Sequence, residues 1–404
     1  MRYLQRSIEP FICRAAAEFP VVMLTGPRQS GKTTLLRHLF GETHRYVSME
    51  LPDVQAAASN DPRGFLEFHP APAVFDEIQY APELLPYLKE RVDAERDRSG
   101  QFILTGSQNI LLAQGVTESL AGRAAILRLL PLSLREILGE PQAPLPWEEG
   151  IRASPGGIAH AELWQCFLRG GYPEPVANPG RDPGLWHASY VQTYLERDIR
   201  TIRQVGDLSQ FQSFLRALAA RSAQLLNTSD LARDLGVAVN TVRAWLSVLE
   251  ATYQITVLRP YHTNVGKRLV KTPKVYFADV GTLCYLVGLK DPAHAAAGPM
   301  GGAIMETAVV NEVVRTLTHR AQEPSLYFWR TTAGTEVDLV MDTGIALIPI
   351  EVKLSTTPRA AMASGIEAFR RDLGARVQKG YVVHPGDAKL PLSPGVMAWP
   401  LGEF

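Results

Sequence analysis

Cysteine is scarce, with Cys13, Cys166 and Cys284 the only three in 404 residues. None has the paired spacing of a zinc site or redox motif, so buried thiols in a reducing compartment are expected. Excess charge is missing too, because 41 Lys+Arg balance 41 Asp+Glu. That excludes a general polycationic attraction to nucleic acid, and any DNA contact must come from a local basic patch. Lysine is rare, at nine residues, and two of them, Lys32 and Lys353, fall in candidate sites. No apolar run approaches the roughly 18 residues that a membrane helix needs. Arg2, Arg6, Glu9, Arg14 and Glu18 break up the region where a secretory signal would sit. A soluble, cytoplasmic protein without membrane association is expected.

What remains is ample core material, 46% hydrophobic residues, enough for about two to four domains at this length. Residues 1–138 alternate β-rich runs (21–25, 45–49, 73–75, 102–105, 125–130) with helical stretches at 31–40 and 82–98. Such alternation predicts a parallel sheet covered by helices. A Pro/Gly-rich connector follows at 139–158. Helical patterns then run at 161–169, 185–203, 209–223, 229–235 and 241–254. Beyond residue 300 come a helix, a hairpin-like pair (337–341 and 346–352), another helix and a strand at 380–384. The expected layout is α/β (1–138), connector and helical unit (139–300), then a second α/β unit (301–404).

The strongest motif is Gly26-Pro27-Arg28-Gln29-Ser30-Gly31-Lys32-Thr33, between the strand VVMLT and the amphipathic helix TTLLRHLF. This is the G-x-x-x-x-G-K-[ST] loop in its strand–loop–helix setting. Its main-chain amides and the following helix N-terminus, Thr34 included, would point at phosphate oxygens. Lys32 would reach the β/γ-phosphates, and the Thr33 hydroxyl would ligate Mg²⁺. Downstream, Ala73-Val74-Phe75-Asp76-Glu77 ends a strand in two carboxylates. Asp76 suits the Mg²⁺ position and Glu77 the polarising of a lytic water. The strand FILTG leads into Ser107, Gln108 and Asn109, where Ser107 or Gln108 would sense the γ-phosphate unless the segment is a plain turn. Arg123 is the candidate for stabilising transition-state charge, within its own subunit or on a neighbour in a homo-oligomer, against a plain surface role.

LTGPRQSGKTTLL, VFDEIQYAPELL, ILTGSQN and SLAGR followed by LPLSLREI resemble prokaryotic ATPases of the AAA superfamily that carry a C-terminal conserved domain of unknown function. FLRGGYPEP, YLERDI, KVYFADVG and FWRTTAGTEVDLV with IPIEVK extend the resemblance along nearly the whole chain. It implies ATP as the nucleotide, an AAA-type P-loop domain, and a C-terminal region like the PD-(D/E)XK endonuclease fold. It supplies no substrate.

Residues 225–255 read as a helix–turn–helix, with Thr228 or Ser229 capping the first helix and Gly236 ending it. Val242, Trp245, Leu246 and Leu249 fall at i, i+3, i+4, i+7 and should be buried. Asn240, Thr241, Arg243 and Ser247 occupy the opposite face. Arg259, Lys267, Arg268, Lys271 and Lys274 follow without an acid and suggest a basic wing that neutralises phosphates. The winged helix then either contacts DNA or serves packing and a partner protein. Glu196, Arg197, Asp198 and Arg200 are spaced for helical ion pairs.

Near the C-terminus, Glu336-Val337-Asp338 and Glu351-Val352-Lys353 lie on adjacent expected strands. Alternation puts Glu351 and Lys353 on one face, as it does Glu336 and Asp338. Asp338 and Glu351 could share a Mg²⁺, Lys353 could help deliver a hydroxide-like water, and Glu306 could complete the metal shell. Val337 stands where the endonuclease pattern has proline. The alternatives are a nuclease fold without activity or plain cross-strand salt bridges. Two functions follow: an ATPase coupled to DNA binding or processing, or an ATP-dependent interaction switch, as in a toxin–antitoxin or defence locus.

Overall fold

The computed structural model describes residues 2–106, 120–148, 157–195, 208–261 and 270–404. In the first unit, β1 (Val21–Thr25), β2 (Arg45–Ser48), β3 (Ala73–Asp76), β4 (Phe102–Gly106) and β5 (Ala124–Arg128) form a sheet in the order β2-β3-β4-β1-β5. Every pairing is parallel. The central strands are mainly apolar, turn polar only near their carboxyl ends (Thr25, Asp76, Thr105), and are buried along their length, as strands covered on both faces must be. All five end on one edge. The phosphate loop, Asp76 and Glu77 therefore open into the same crevice.

Helices Glu9–Glu18, Pro52–Asn60 and Pro62–Phe68 were not evident from the sequence, being short and starting at or near prolines. The expected helix at 82–98 is shorter, Leu84–Ala94. Of the three cysteines only Cys284 is buried, and Cys13 is exposed, which corrects the expectation of three buried thiols.

The second half is built around the helix Gly301–His319, buried along most of its length. A helix enclosed on several sides must be apolar nearly all round, and its stretch AVV-NEVV supplies this. Helices His160–Arg169, Leu208–Ala219 and Val280–Leu286 share its core. The strands are β6 (Gln224–Leu225), β7 (Ile255–Pro260), β8 (Lys274–Phe277), β9 (Leu326–Arg330), β10 (Glu336–Asp342), β11 (Leu347–Val352), β12 (Gly380–His384), β13 (Leu390–Ser393) and β14 (Val396–Pro400). They join into one sheet, β13-β14-β12-β11-β10-β9-β7-β8-β6. The expected hairpin is β10 and β11, antiparallel with Leu339 opposite Ile350. The β7–β9 pairing carries the sheet across residue 300.

Helices Thr228–Leu235 and Val239–Ala251 form the expected pair, with Val242, Trp245, Leu246 and Leu249 buried. The cap is Asn227 rather than Thr228 or Ser229: its side-chain oxygen accepts from Ser229 N at 3.0 Å and Asp230 N at 3.2 Å. Asn is among the best capping residues because its carbonyl reaches these amides. Gly236 ends the helix at φ 65°. Lys267 and Arg268 of the expected wing lie outside the described residues, as do Glu196, Arg197, Asp198 and Arg200.

A buried ionic group ties the halves together. Arg6 donates from Nη1 to Ser30 O of the phosphate loop (2.9 Å) and from Nη2 to Leu130 O (2.7 Å). Its Nε lies 3.3 Å from Glu136 Oε1, and His319 Nδ1 lies 3.2 Å from the same oxygen. Glu136 also accepts from Ser7 N and Ser133 N. Burial alone would raise the Glu136 pKa, but Arg6 and His319 outweigh it and hold the carboxyl well below its usual range. Burial lowers the His319 pKa despite Glu136, and His319 Nε2 accepts from Leu130 N at 3.1 Å. The imidazole is thus neutral with its proton on Nδ1. Nearby, Arg315 donates to Leu132 O (2.6 Å) and Arg135 to Glu312 (2.9 Å).

Two outcomes follow. Glu136→Gln leaves Arg6 buried without its counter-ion and should lower the unfolding free energy by about 3–5 kcal/mol in urea titrations. The unfolded chain protonates His319 near its ordinary value while the native chain resists, so stability should fall as pH drops through about 6.5. His319→Gln should weaken that acid limb relative to wild type in Tm-versus-pH scans.

Candidate functional site

Gly26 sits at φ 150°, and a Cβ there would stand 2.1 Å from Leu129 O, so only glycine lets the loop pass beside β5. Gly31 at φ 94° starts the helix Lys32–Phe40, whose N-terminal amides face the crevice. A Cβ on Gly31 would lie 3.4 Å from Pro173 Cγ and 3.8 Å from Arg6 Nη1. Pro173, from the FLRGGYPEP motif, is therefore a wall of the loop, a contribution not readable from the sequence. Lys32 Nζ donates to Gly26 O (3.1 Å) and Pro27 O (3.0 Å). Arg28 turns to the Tyr80 hydroxyl (3.0 Å), Gln29 has φ 63°, and Thr34 is exposed on the first helical turn. Ser30 Oγ is buried with no hydrogen-bond partner. An unsatisfied hydroxyl inside a ring of amides suits an anionic ligand.

Thr33 Oγ1 donates to Asp76 Oδ2 at 2.7 Å, and the Tyr46 hydroxyl donates to the same oxygen. Thr105 Oγ1 donates to Asp76 Oδ1 and accepts from Glu77 N at 2.9 Å. One hydroxyl thereby fixes both acids. Glu77 has φ 59° and ψ 50°, the left-handed region, unusual for a residue with a side chain. Such backbone costs about 1–3 kcal/mol and persists where neighbours enforce it. Gln79 Nε2 donates to Glu77 Oε2. Neither Thr105 nor Tyr46 was singled out from the sequence, although Thr105 lies on the strand expected to lead to a sensor. Ser107 and Gln108 lie outside the described residues.

Arg123 does not reach this crevice within its own chain. Val21 N donates to its carbonyl at 3.2 Å, at the start of β1, whereas the loop leaves the end of β1. At about 3.3 Å per residue, five residues place it about 16 Å away. Its guanidinium instead pairs with Asp93, at 2.6 and 3.0 Å. Of the two roles expected for Arg123, within its own subunit or on a neighbour, this geometry disfavours the first. Closeness to a strand in sequence does not say which end of the strand.

At the other end of the helix Gly301–His319 lies the carboxylate cluster. Asp338 Oδ2 accepts from Val352 N at 2.8 Å, and Lys353 Nζ donates to Glu351 Oε1 at 2.5 Å. Glu306 comes in from the helix, as expected. The unexpected member is Lys274, which the sequence places with the basic wing. Strand β8 buries it, leaving its side chain 4% exposed, and its ammonium lies 2.8 Å from Glu306 Oε1, against Glu336 Oε1 and 3.8 Å from Asp338 Oδ1. Burial would lower the Lys274 pKa, but Glu306, Asp338 and Glu336 outweigh it and raise it. Burial, then the Asp338 charge, push Glu306 up to about 7 and Glu351 up to about 8. Burial also raises Asp338. Among the described residues, no group of three or more His, Cys, Asp or Glu is arranged to hold a metal ion. The Mg²⁺ implied by the endonuclease resemblance does not fit these side chains as they stand, because an ammonium fills the space between the acids.

The sequence matches an AAA domain over residues 18–138, a domain of unknown function (DUF8612) over 160–293 and another (DUF4143) over 301–404. Uncharacterized proteins of Mycobacterium tuberculosis (strain H37Rv) and Mycobacterium bovis (strain AF2122/97) are each 32% identical to it over 393 residues. The alignment covers 97% of this chain and 82% of theirs. The chain belongs to their family. Its first unit is accordingly an AAA-type P-loop ATPase domain, which implies nucleotide binding. Among solved structures, the Walker-type ATPase PABY2304 of Pyrococcus abyssi is 17% identical, with a TM-score of 0.44 over 70% of this chain and 96% of its own. The Thermotoga maritima RuvB Holliday junction branch migration motor gives 17% and 0.28, over 62% and 88%. No helix among the described residues is long and apolar enough to cross a membrane.

Thr105→Val keeps the shape of the side chain and removes both of its bonds. Turnover of ATP should fall by about 10–100-fold, as for groups that orient metal-binding carboxylates, with KM for ATP little changed. Thr105→Ser should restore most of it in steady-state phosphate-release assays.

Proposed function

We propose that this AAA-domain protein hydrolyses ATP with Mg²⁺ and uses nucleotide state to switch a DNA-contacting second half. The chain of hydroxyls and acids Thr33–Asp76–Thr105–Glu77 carries the hydrolytic reading. Bound Mg²⁺ would supply charge neutralisation at the β/γ-phosphates, held through Thr33 and Asp76. Loop amides and Lys32 bind the triphosphate, and Ser30 Oγ gains a partner. Glu77, aimed by its left-handed backbone and by Thr105, polarises the attacking water. Glu77→Gln should bind ATP with unchanged affinity by calorimetry and lose about 100-fold or more in turnover; equal turnover would remove Glu77 from this role.

The switch half rests on the buried helix Gly301–His319. Its last residue joins the Arg6–Glu136 group under the phosphate loop, and its first turns carry Glu306. A displacement of Ser30 on nucleotide binding has a continuous packed path to the distal cluster. DNA is the proposed partner because the helix–turn–helix leads into β7 and β8 and exposes Arg243, Arg259 and Lys271. Arg259→Ala with Lys271→Ala should lower the slope of log K against log salt by up to about 0.9 for each phosphate that is no longer neutralised; an unchanged slope would move the interface elsewhere.

One observation favours a second reading, a metal-dependent nuclease of PD-(D/E)XK type: Asp338 of β10 accepts from Val352 N of β11, and Lys353, just past β11, donates to Glu351. Lys274 weighs against it. Incubation of single-stranded, duplex and branched DNA with Mg²⁺ or Mn²⁺ decides, with Lys353→Ala as control; cleavage that disappears in the variant establishes the nuclease.

A further inference from the structure

Three carboxylates gather at the second sheet, Glu306 from the long helix and Glu336 and Asp338 from β10, with Glu351 of β11 beside them and paired to Lys353. Oxygen-only donor sets of this kind are what hard divalent cations take. The group that meets them is the Lys274 ammonium, bonded to Glu306 Oε1 at 2.8 Å, in contact with Glu336 Oε1 and 3.8 Å from Asp338 Oδ1. Lys274 is no mobile surface lysine. Its backbone pairs on both sides, opposite Leu258 of β7 and Leu225 of β6. Its Nζ stands 5.6 Å from the centre of the buried Phe328 ring, and its side chain is 4% exposed. Lys353, by contrast, is 35% exposed at its side chain and pairs with Glu351. A separate sign of unmet demand for positive charge is Glu351 Oε2, which is buried without a hydrogen-bond partner in a residue only 7% exposed.

We infer that Lys274 is the resident cation of this cluster: its ammonium stands where a divalent metal would bind, keeps the wild-type cluster closed to metal, and leaves a latent Mg²⁺/Mn²⁺ site that its removal opens. In the wild type Lys274 pairs with Glu306 and Glu336, and Lys353 with Glu351. A neutral side chain of similar length at 274 leaves Glu306, Glu336 and Asp338 without their shared cation, and an oxygen-coordinated divalent ion is the ligand that relieves their repulsion. The inference rests on the cluster alone and stands or falls independently of ATP hydrolysis or DNA contact.

The test uses the full-length chain free of nucleotide, titrated with Mn²⁺ and followed by the loss of the free-ion electron paramagnetic resonance signal. Wild type should show no tight site. Lys274→Met should bind about one Mn²⁺ per chain with at least tenfold higher affinity than wild type, and Asp338→Asn added to it should abolish that binding. In parallel, Lys274→Met should melt below wild type in EDTA and recover with millimolar Mg²⁺, while the wild-type Tm is the same in both. A tight wild-type Mn²⁺ site lost on Asp338→Asn would overturn the inference, and this holds even if Lys274→Met fails to fold. A soluble, folded Lys274→Met that binds no more Mn²⁺ than wild type and gains nothing in Tm from Mg²⁺ would overturn it too.

Discussion

The buried carboxylate of Glu136 is the constraint on which the two halves depend. It holds Arg6, two main-chain amides and the His319 ring, and Arg6 in turn holds the carbonyl of Ser30 in the phosphate loop. An ionised acid survives out of water only when its hydrogen-bonding capacity is met. The partners come from three separate stretches of chain: the N-terminal segment (Arg6, Ser7), the connection after β5 (Ser133) and the end of the long helix (His319). The geometry of the loop is thus set by residues more than a hundred positions away.

The long helix makes that constraint consequential. It is enclosed by the helical core and by both sheets' connections, and close-packed interiors change by discrete rearrangement rather than by bending. Arg315 and Glu312, near its end, bind Leu132 O and Arg135, so its carboxyl half is anchored to the ATPase domain. Glu306, near its start, belongs to the other site. One rigid element therefore carries residues of both sites, His319 at one end and Glu306 near the other.

What the sequence disclosed was local. The phosphate loop was legible because its spacing encodes one backbone shape, and the Asp76-Glu77 pair because it ends a strand of the same sheet. The helix–turn–helix face could be read from Val242, Trp245, Leu246 and Leu249, since period 3.6 is a property of neighbours. Thr105, Tyr46 and Pro173 were not marked, because their roles come from which strand ends meet in space. That Arg123 sits away from the nucleotide of its own chain was hidden for the same reason: parallel strands put residues before a strand at the opposite edge. Lys274 looked like part of a basic run because the run is contiguous in sequence, whereas β8 sends this residue inward to acids found 32 to 64 positions further on. The carboxylates themselves were found; the charge that balances them was not.

The contact between Gly31 and Pro173 has its own implication for how the molecule is partitioned. The nucleotide crevice has one wall contributed by a segment that belongs, by sequence, to the middle of the polypeptide. The ATPase domain is therefore not an interchangeable cassette. Cut away at its apparent border, it would lose the Pro173 side of its phosphate loop.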